Sequence, residues 1–143
     1  MRFLPDCPYV VKLFEIYENN EEVVLIIELL QGKDLFKIIK ALQKPTEHQI
    51  YKIFADLLKG VLFLHFHGIL HRDIKPDNIL FSNETKTAKA KIVDLSLAED
   101  FYPSKKFDET CGTPGFMAPE ILNQEAYNEK VDVFSLGVVL YML

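Results

Sequence analysis

Two apolar runs near the start of the chain have the composition of β-strands. Residues 10–17 (VVKLFEIY) and 23–28 (VVLIIE) are rich in β-branched and aromatic side chains, and the polar segment 18–21 (ENNE) lies between them. Such residues favour strands, and a short polar stretch between two strands favours a turn. The pattern therefore predicts an antiparallel hairpin.

A helical period follows the hairpin. Apolar residues recur at spacings of three and four positions: Ile50, Phe54, Leu57, Val61 and Leu64. Thr46 and Gln49 form a capping box directly after Pro45, which predicts that a long helix begins there and ends at Gly68. A shorter helix is predicted over residues 34–42, with Asp34 as a possible N-cap.

Two further apolar stretches complete the pattern. Residues 79–81 and 91–93 flank a polar loop and predict a second small hairpin. Residues 131–143 are apolar on nearly all sides, but they fall short of the roughly 20 residues that span a membrane, and they include Asp132 and Ser135. They predict a core helix whose covering helices are not encoded here, so exposed apolar patches are expected.

Composition narrows the class of protein. The 143 residues are 49% hydrophobic and 26% charged, with a net charge of −5, and the lysines are scattered among more numerous acids. A nucleic-acid partner is not expected, because it would need a basic patch. Cys7 and Cys111 are interpreted as free thiols, and no leading apolar run predicts export or a membrane partner, so the expected location is cytoplasmic, with the nucleus possible.

Residues 71–81 (HRDIKPDNILF) concentrate reactive groups between apolar runs. The carboxylate of Asp73 can accept a hydroxyl proton, Lys75 can hold a transferring phosphate, and Asn78 offers an oxygen to a hard cation such as Mg²⁺. Asp94 follows the apolar strand at 90–93 and supplies a second carboxylate. This combination is typical of phosphoryl transfer.

These two segments resemble the catalytic half of a eukaryotic-type protein kinase. The resemblance continues at residues 112–120 (GTPGFMAPE), and at 131–140 (VDVFSLGVVL), where Asp132 is expected to tie down the catalytic loop backbone. It implies an α+β, protein-kinase-like fold that is truncated: residues 1–27 form the end of the small lobe, 28–33 the hinge and 34–143 an incomplete large lobe. The hinge and the GTPGFMAPE segment are similar to the calcium/calmodulin-dependent group.

The resemblance also assigns catalytic roles. It implies that Asp73 orients and deprotonates the substrate hydroxyl, that Lys75 neutralises the γ-phosphate of ATP, and that Thr113 braces both side chains. Asn78 and Asp94 are expected to hold Mg²⁺. Lys75 and the loop at 112–114 point to protein or peptide substrates with serine or threonine hydroxyls.

A nucleotide site is implied at the hinge. Backbone groups of Glu28 and Leu30 are expected to bind adenine, with Ile27 as the gatekeeper and Leu80 also lining the site. Asp34 is expected to meet the ribose hydroxyls, with the plain N-cap as its alternative. The resemblance further places His71 in a regulatory spine with Leu95 and Leu13. His65 is interpreted as a packed residue near a helix end, and His48 and His67 as solvated residues, so zinc binding by these histidines is not expected.

The sequence departs from the kinase pattern in two ways. The 143 residues contain no G-x-G-x-x-G loop and no upstream Val-Ala-Ile-Lys strand, so this chain alone is expected to be weakly active or inactive. The alternative is a non-catalytic, pseudokinase-like interaction module. Ser96 ends the triplet Asp94-Leu95-Ser96, in which kinases normally have glycine at the third position. Serine has less backbone freedom than glycine, and the conformational switching of this triplet depends on that freedom.

Residues 112–120 resemble the end of a kinase activation segment, and Glu109 places a permanent negative charge just before them. Counting back from residues 111–114, the usual phosphothreonine falls at Glu109. In kinases of this type Arg72 reads that phosphate, so Glu109 is expected to pair with Arg72 permanently. The hypothesis is that the parent kinase needs no phosphorylation at this position.

Overall fold

The computed structural model describes residues 4–41, 44–85, 87–102 and 104–143. Within these ranges the chain forms six short strands and four α-helices, which confirms the predicted α+β class of a truncated kinase-like fold. In chain order they are β1 Leu13–Glu18, β2 Val23–Ile27, α1 Leu35–Ala41, α2 Glu47–Phe66, β3 Ile69–Leu70, β4 Ile79–Phe81, β5 Ala90–Ile92, β6 Glu99–Asp100, α3 Pro119–Leu122 and α4 Lys130–Met142. None of the helices described combines the length and the apolar character needed to cross a membrane.

The first hairpin is confirmed, but it is shorter than predicted. Strands β1 and β2 pair antiparallel, with Leu13 opposite Ile27. The preceding segment turns instead to β5: the Val11 amide donates to the Ile92 carbonyl at 2.9 Å, and the Ile92 amide donates to the Tyr9 carbonyl at 2.9 Å. The apolar run that starts at residue 10 thus serves two sheets, because its backbone changes partner before β1 begins.

Helix α1 begins directly after Asp34, as predicted. The Lys37 amide donates to Oδ1 of Asp34 at 2.8 Å, which satisfies one of the amides left free at a helix start. Ala41 is the last residue of α1, and the predicted final residue, 42, lies outside the described residues.

The capping box of helix α2 is also confirmed. Thr46 Oγ1 accepts from the Gln49 amide, and the Gln49 side chain accepts from the Thr46 amide at 2.8 Å. The buried stripe is Ile53, Leu57, Val61 and Leu64. Of the predicted positions, Ile50 and Phe54 are only partly buried, although Phe54 still packs against the core. Ile53, which the predicted stripe left out, is buried.

The second hairpin, β4 with β5, places the catalytic loop. Ile79 lies opposite Ile92 and Phe81 opposite Ala90, one residue earlier on the second strand than predicted. The Val93 amide donates to the Asn78 carbonyl at 3.0 Å, so the pairing continues beyond the hairpin into the loop. Strands β3 and β6 also pair antiparallel, and their two-residue length left no pattern from which to predict them.

The main hydrophobic core lies between α2, the β4–β5 hairpin and the buried face of α4. The other face of α4 is open: Val133, Phe134, Leu140 and Tyr141 are exposed, as are all five residues of β2. The expected apolar patches on α4 are therefore present.

Gly60 brings α2 close to its neighbours. A Cβ built at this position lies 2.9 Å from the Tyr9 carbonyl oxygen and 2.9 Å from the Ile92 side chain, whereas a Cβ at Gly137 of α4 meets nothing within 4 Å. We expect Gly60→Ala to lower the free energy of unfolding, because backbone has to move. Gly137→Ala should raise it by about 0.5–1 kcal/mol through helix propensity.

Chemical denaturation of the two variants beside the wild type checks this prediction. A stabilising Gly60→Ala would show that α2 does not approach residue 9 as closely as described.

Candidate active site

The catalytic loop between β3 and β4 is held by one buried carboxylate from α4. Asp132 is 1% exposed, and it accepts hydrogen bonds from the amides of His71 and Arg72, both at 2.9 Å. The expected tie between Asp132 and the loop backbone is therefore present. His65, interpreted from the sequence as a packed residue, also bonds Asp132 through Nε2 at 2.8 Å, a contact that no local pattern indicated.

His71 joins the loop to the strand before Asp94. The Asp73 amide donates to Nδ1 of His71 at 3.2 Å, and Nε2 lies 3.1 Å from the Val93 carbonyl. Both contacts are satisfied by the neutral ring with its proton on Nε2. Leu13 and Leu95 line one small cavity together, and the stacking of His71 with them stays a prediction.

Asp73 is the centre of a dense cluster of polar groups. Thr113 Oγ1 donates to Oδ1 of Asp73 at 2.6 Å, while Lys75 Nζ lies 2.8 Å and Asn78 Nδ2 3.0 Å from Oδ2. Lys75 also donates to Thr113 Oγ1 at 2.7 Å. The predicted contact of Thr113 with both side chains is thus observed, and the structure brings all four predicted catalytic residues together.

The cluster keeps Asp73 ionised. Burial alone raises the pKa of a carboxyl group, but the hydrogen bonds from Lys75, Thr113 and Asn78, with the charge of Lys75, hold the pKa of Asp73 below its ordinary value of 3.8. Because the folded-state pKa is lowered, the ionised group stabilises the fold above about pH 4. That contribution is lost as the pH falls through the lowered pKa.

Asn78 belongs to this cluster, and Asp94 is connected to it through the backbone of Val93. Nδ2 of Asn78 donates to the carbonyl and to Oδ2 of Asp73, both at 3.0 Å, so its amide oxygen points away from them. Asp94 is exposed and adopts a left-handed φ of 59°. Val93, just before it, is bonded to the loop on both sides, through Asn78 and His71. An amide oxygen and a carboxylate are the donors that Mg²⁺ prefers, so these residues fit the metal that the sequence implies.

The predicted adenine site lies where β2 ends. The Glu28 amide donates to the Lys12 carbonyl at 2.9 Å. Among the described residues, no backbone group pairs with the Glu28 carbonyl or the Leu30 amide, so both can face a ligand. The Glu28 side chain forms an ion pair with Lys91, which the sequence reading missed although Lys91 stands within an apolar strand.

Asp34 and Leu80 lie side by side below the hinge. They form an isolated antiparallel bridge between the start of α1 and β4. Hydrogen bonds from the side chain and amide of Lys37 lower the pKa of Asp34, with Nζ 2.7 Å from Oδ2. The N-cap interpretation of Asp34 is therefore observed, and its contact with ribose stays a prediction.

The Arg72 side chain contacts three residues between positions 97 and 109. Its guanidinium lies 2.9 Å from the Glu109 carboxylate and 3.8 Å from that of Glu99, and its Nε donates to the Leu97 carbonyl at 2.6 Å. The expected Arg72–Glu109 pair is present. Lys105 adds a second cation 3.1 Å from Glu99, a contact that sequence reasoning missed because surface charges in a loop have no periodic signal.

Tyr127 supports the same segment from the other side. Its hydroxyl donates to the Glu109 carbonyl at 2.9 Å and lies 3.7 Å from the Cys111 sulfur. Burial is the main cause that raises the pKa of Tyr127 to about 12, so the hydroxyl keeps its proton. Cys7 and Cys111 are both free thiols, as expected.

Comparison with known proteins shows the family to which the chain belongs. Residues 1–143, the whole chain, match the protein kinase domain family, and the chain belongs to that family. It is 40% identical over 143 residues to calcium-dependent protein kinase 14 of Arabidopsis thaliana, covering all of this chain and 27% of the relative. It is 41% identical over 136 residues to calcium/calmodulin-dependent protein kinase type 1 of Caenorhabditis briggsae, covering 94% of this chain and 37% of the relative.

The chain matches only part of the length of each relative. Calcium-dependent protein kinase 24 of Arabidopsis thaliana is 41% identical over the whole chain, which corresponds to 24% of that relative. The chain thus spans about a quarter of the length of the plant kinases it matches. The relatives are named as calcium-dependent kinases, in agreement with the predicted resemblance.

The role of Asp132 can be tested through stability. We expect Asp132→Asn to lower the free energy of unfolding by about 2 kcal/mol or more, because the amide replaces one acceptor oxygen with a donor that faces buried N–H groups. Chemical denaturation measures the change. Asp108→Asn, at an exposed position of the activation segment, is the matched control; equal losses in the two variants would contradict this role of Asp132.

Proposed function

We propose that the full-length protein containing these residues transfers the γ-phosphoryl group of ATP to serine or threonine hydroxyls of protein substrates. The observation that carries the proposal is the Asp73 carboxylate, held ionised by Lys75, Thr113 and Asn78. Membership of the protein kinase family supports this reaction class.

The geometry around Asp73 leaves room for one more donor. A carboxylate offers about four lone-pair sites, and three are taken by Thr113, Lys75 and Asn78. The remaining site is suited to a substrate hydroxyl, which Asp73 would orient and whose proton it would accept. Lys75, about one-fifth exposed, donates to Asp73 and Thr113 and can turn its third N–H group toward the transferring phosphate.

The nucleotide and the metal would bind between the hinge and the catalytic loop. The Glu28 carbonyl and the Leu30 amide would bind adenine, above Leu80 and beside Asp34. Asn78 and Asp94 would hold Mg²⁺, which supplies charge neutralisation for the phosphates when bound. Positioning and charge, rather than covalent chemistry, supply most of the rate in such sites.

Substrate class and location are finer parts of the proposal. Lys75, together with the loop at 112–114, supports serine/threonine specificity, and the relatives are named as protein kinases. We place the protein in the cytoplasm, with the nucleus as a second location, and expect neither nucleic acid nor membrane as a partner.

A non-catalytic interaction module is the second candidate. It is favoured by the exposure of every residue of β2, which leaves an apolar surface open to a partner. Such a module would bind partners without turning over ATP, so kinetics separate the two candidates.

The first test compares wild type with Asp73→Asn. In the full-length protein with Mg²⁺, ATP and a serine/threonine peptide, we expect kcat to fall by about 10²–10⁴, because the amide cannot accept the hydroxyl proton. The KM for ATP should change little. Asp108→Asn is the control, and the isolated 143-residue chain should transfer phosphate poorly.

Two results would overturn the catalytic proposal. One is a wild-type full-length protein that binds partners but transfers no phosphate. The other is full activity of Asp73→Asn.

The Arg72–Glu109 pair gives a second test. The Arg72 side chain is nearly buried, whereas that of Glu109 is 68% exposed, so the pair is only partly shielded from water. We therefore expect Glu109→Ala to lower kcat/KM by about fivefold in the full-length protein. Phosphatase treatment of the wild type should leave kcat/KM unchanged. Asp108→Ala, one position earlier, serves as the control. Unchanged activity of Glu109→Ala would refute the idea that Glu109 replaces a phosphate.

A further inference from the structure

One ion pair links the hinge to the strand that leads to the metal-binding aspartate. Lys91 lies at the centre of β5 and is only 8% exposed, and its ammonium contacts Oε1 of Glu28 at the end of β2. A nearly buried ammonium is stable only with a close acceptor, so this contact fixes the path of the Lys91 side chain. Neither residue contacts the Asp73 cluster in the described structure.

Glu28 is held at three points. Its amide donates to the Lys12 carbonyl at 2.9 Å, and its Oε1 accepts from the Lys12 amide at 2.8 Å and from Lys91. With both the amide and the side chain fixed, the peptide that follows has little rotational freedom. The direction of the Glu28 carbonyl is therefore set, and this carbonyl has no backbone partner among the described residues.

The other end of the pair belongs to the metal side of the site. Lys91 stands three positions before Asp94, and its neighbour Ile92 pairs with Ile79 in the β4–β5 hairpin. Val93 is then bonded to the catalytic loop through the Asn78 carbonyl. The Glu28–Lys91 pair thus connects the groups proposed for adenine to the groups proposed for Mg²⁺.

We propose that Lys91 is a positioning residue for nucleotide selection, which aims the Glu28 carbonyl at the amino group of adenine. The inference rests on the proposed function and adds a residue that touches neither nucleotide nor substrate. Without Lys91, the partly buried Glu28 carboxylate keeps only the Lys12 amide and turns toward water, and the hinge peptide loses one of its three anchors.

The chemistry of the bases makes this role measurable. Adenine carries an amino donor at C6, whereas guanine carries an oxygen acceptor at the same place. A fixed carbonyl attracts the first and repels the second, so it discriminates ATP from GTP. A carbonyl that is free to turn discriminates less.

The experiment compares ATP and GTP as phosphoryl donors for the full-length protein. For Lys91→Met we expect the KM for ATP to rise about five- to tenfold with kcat little changed, and the preference for ATP over GTP to fall by a similar factor. Lys91→Arg should restore most of the preference, because it keeps a cation. Lys52→Met, at an exposed position of α2, is the control and should match the wild type.

A purely structural role predicts a different result. A variant that is merely less stable loses active protein and so lowers the apparent kcat, but its ATP/GTP ratio stays that of the wild type. An unchanged ratio in Lys91→Met would overturn the inference. If that variant fails to fold, Glu28→Gln decides instead, since it keeps the acceptor and removes the charge: a smaller shift in the same direction supports the inference, and an unchanged ratio overturns it.

The result is separable from the proposed function. A wild-type protein that transfers no phosphate contradicts the kinase proposal, whereas an active wild type with an unaltered Lys91→Met contradicts only the positioning role. The double variant Glu28→Gln/Lys91→Met should shift the ratio no further than Lys91→Met alone, because the two residues act through one contact. Independent, additive shifts would also overturn the inference.

Discussion

The catalytic loop depends on the carboxylate of Asp132, which lies 61 positions after His71 in the sequence. Asp132 accepts the amides of His71 and Arg72, and Arg72 adopts a left-handed φ of 68°. Such a conformation costs a residue with a side chain of order 1 kcal/mol or more, so it persists only where other contacts hold it. The buried hydrogen bonds to Asp132 provide that constraint. They set the direction in which the next residue, Asp73, leaves the loop.

Paired charges organise the rest of the site. Among the described residues, no buried side-chain nitrogen or oxygen lacks a hydrogen-bond partner. Arg72 bonds Glu109 in the activation segment, Lys75 bonds Asp73, and Lys91 bonds Glu28 in the hinge. The Lys75–Asp73 pair lies within the catalytic loop, whereas the other two join segments that are far apart in the sequence. The site thus depends on ion pairs within and between segments that stand on a small apolar core.

The apolar core explains why the loops are where they are. Helix α2 packs its buried stripe against β3 and β5, and α4 adds Leu136 and Val139 to the same cluster. The catalytic loop leaves β3 and enters β4, so both of its ends are fixed by this core. The exposed sides of α4 and β2 are consistent with a chain that spans about a quarter of the plant kinases it matches.

Local sequence was sufficient for much of this protein. The capping box at Thr46, the turn at Gly68 and the two main hairpins follow from side-chain chemistry and spacing, which act over a few residues. The motifs around Asp73 and Asp94 were sufficient to identify the kinase family, because their order along the chain is itself specific.

The tertiary structure decided what lies next to what. The contacts of His65 with Asp132, of Lys105 with Glu99 and of Lys91 with Glu28 cross between separate elements. No periodic pattern encodes such contacts, since the position of one partner depends on how every element between them packs. For the same reason the sequence predicted which groups form the site, and only the fold showed how charges far apart in the chain neutralise and orient one another.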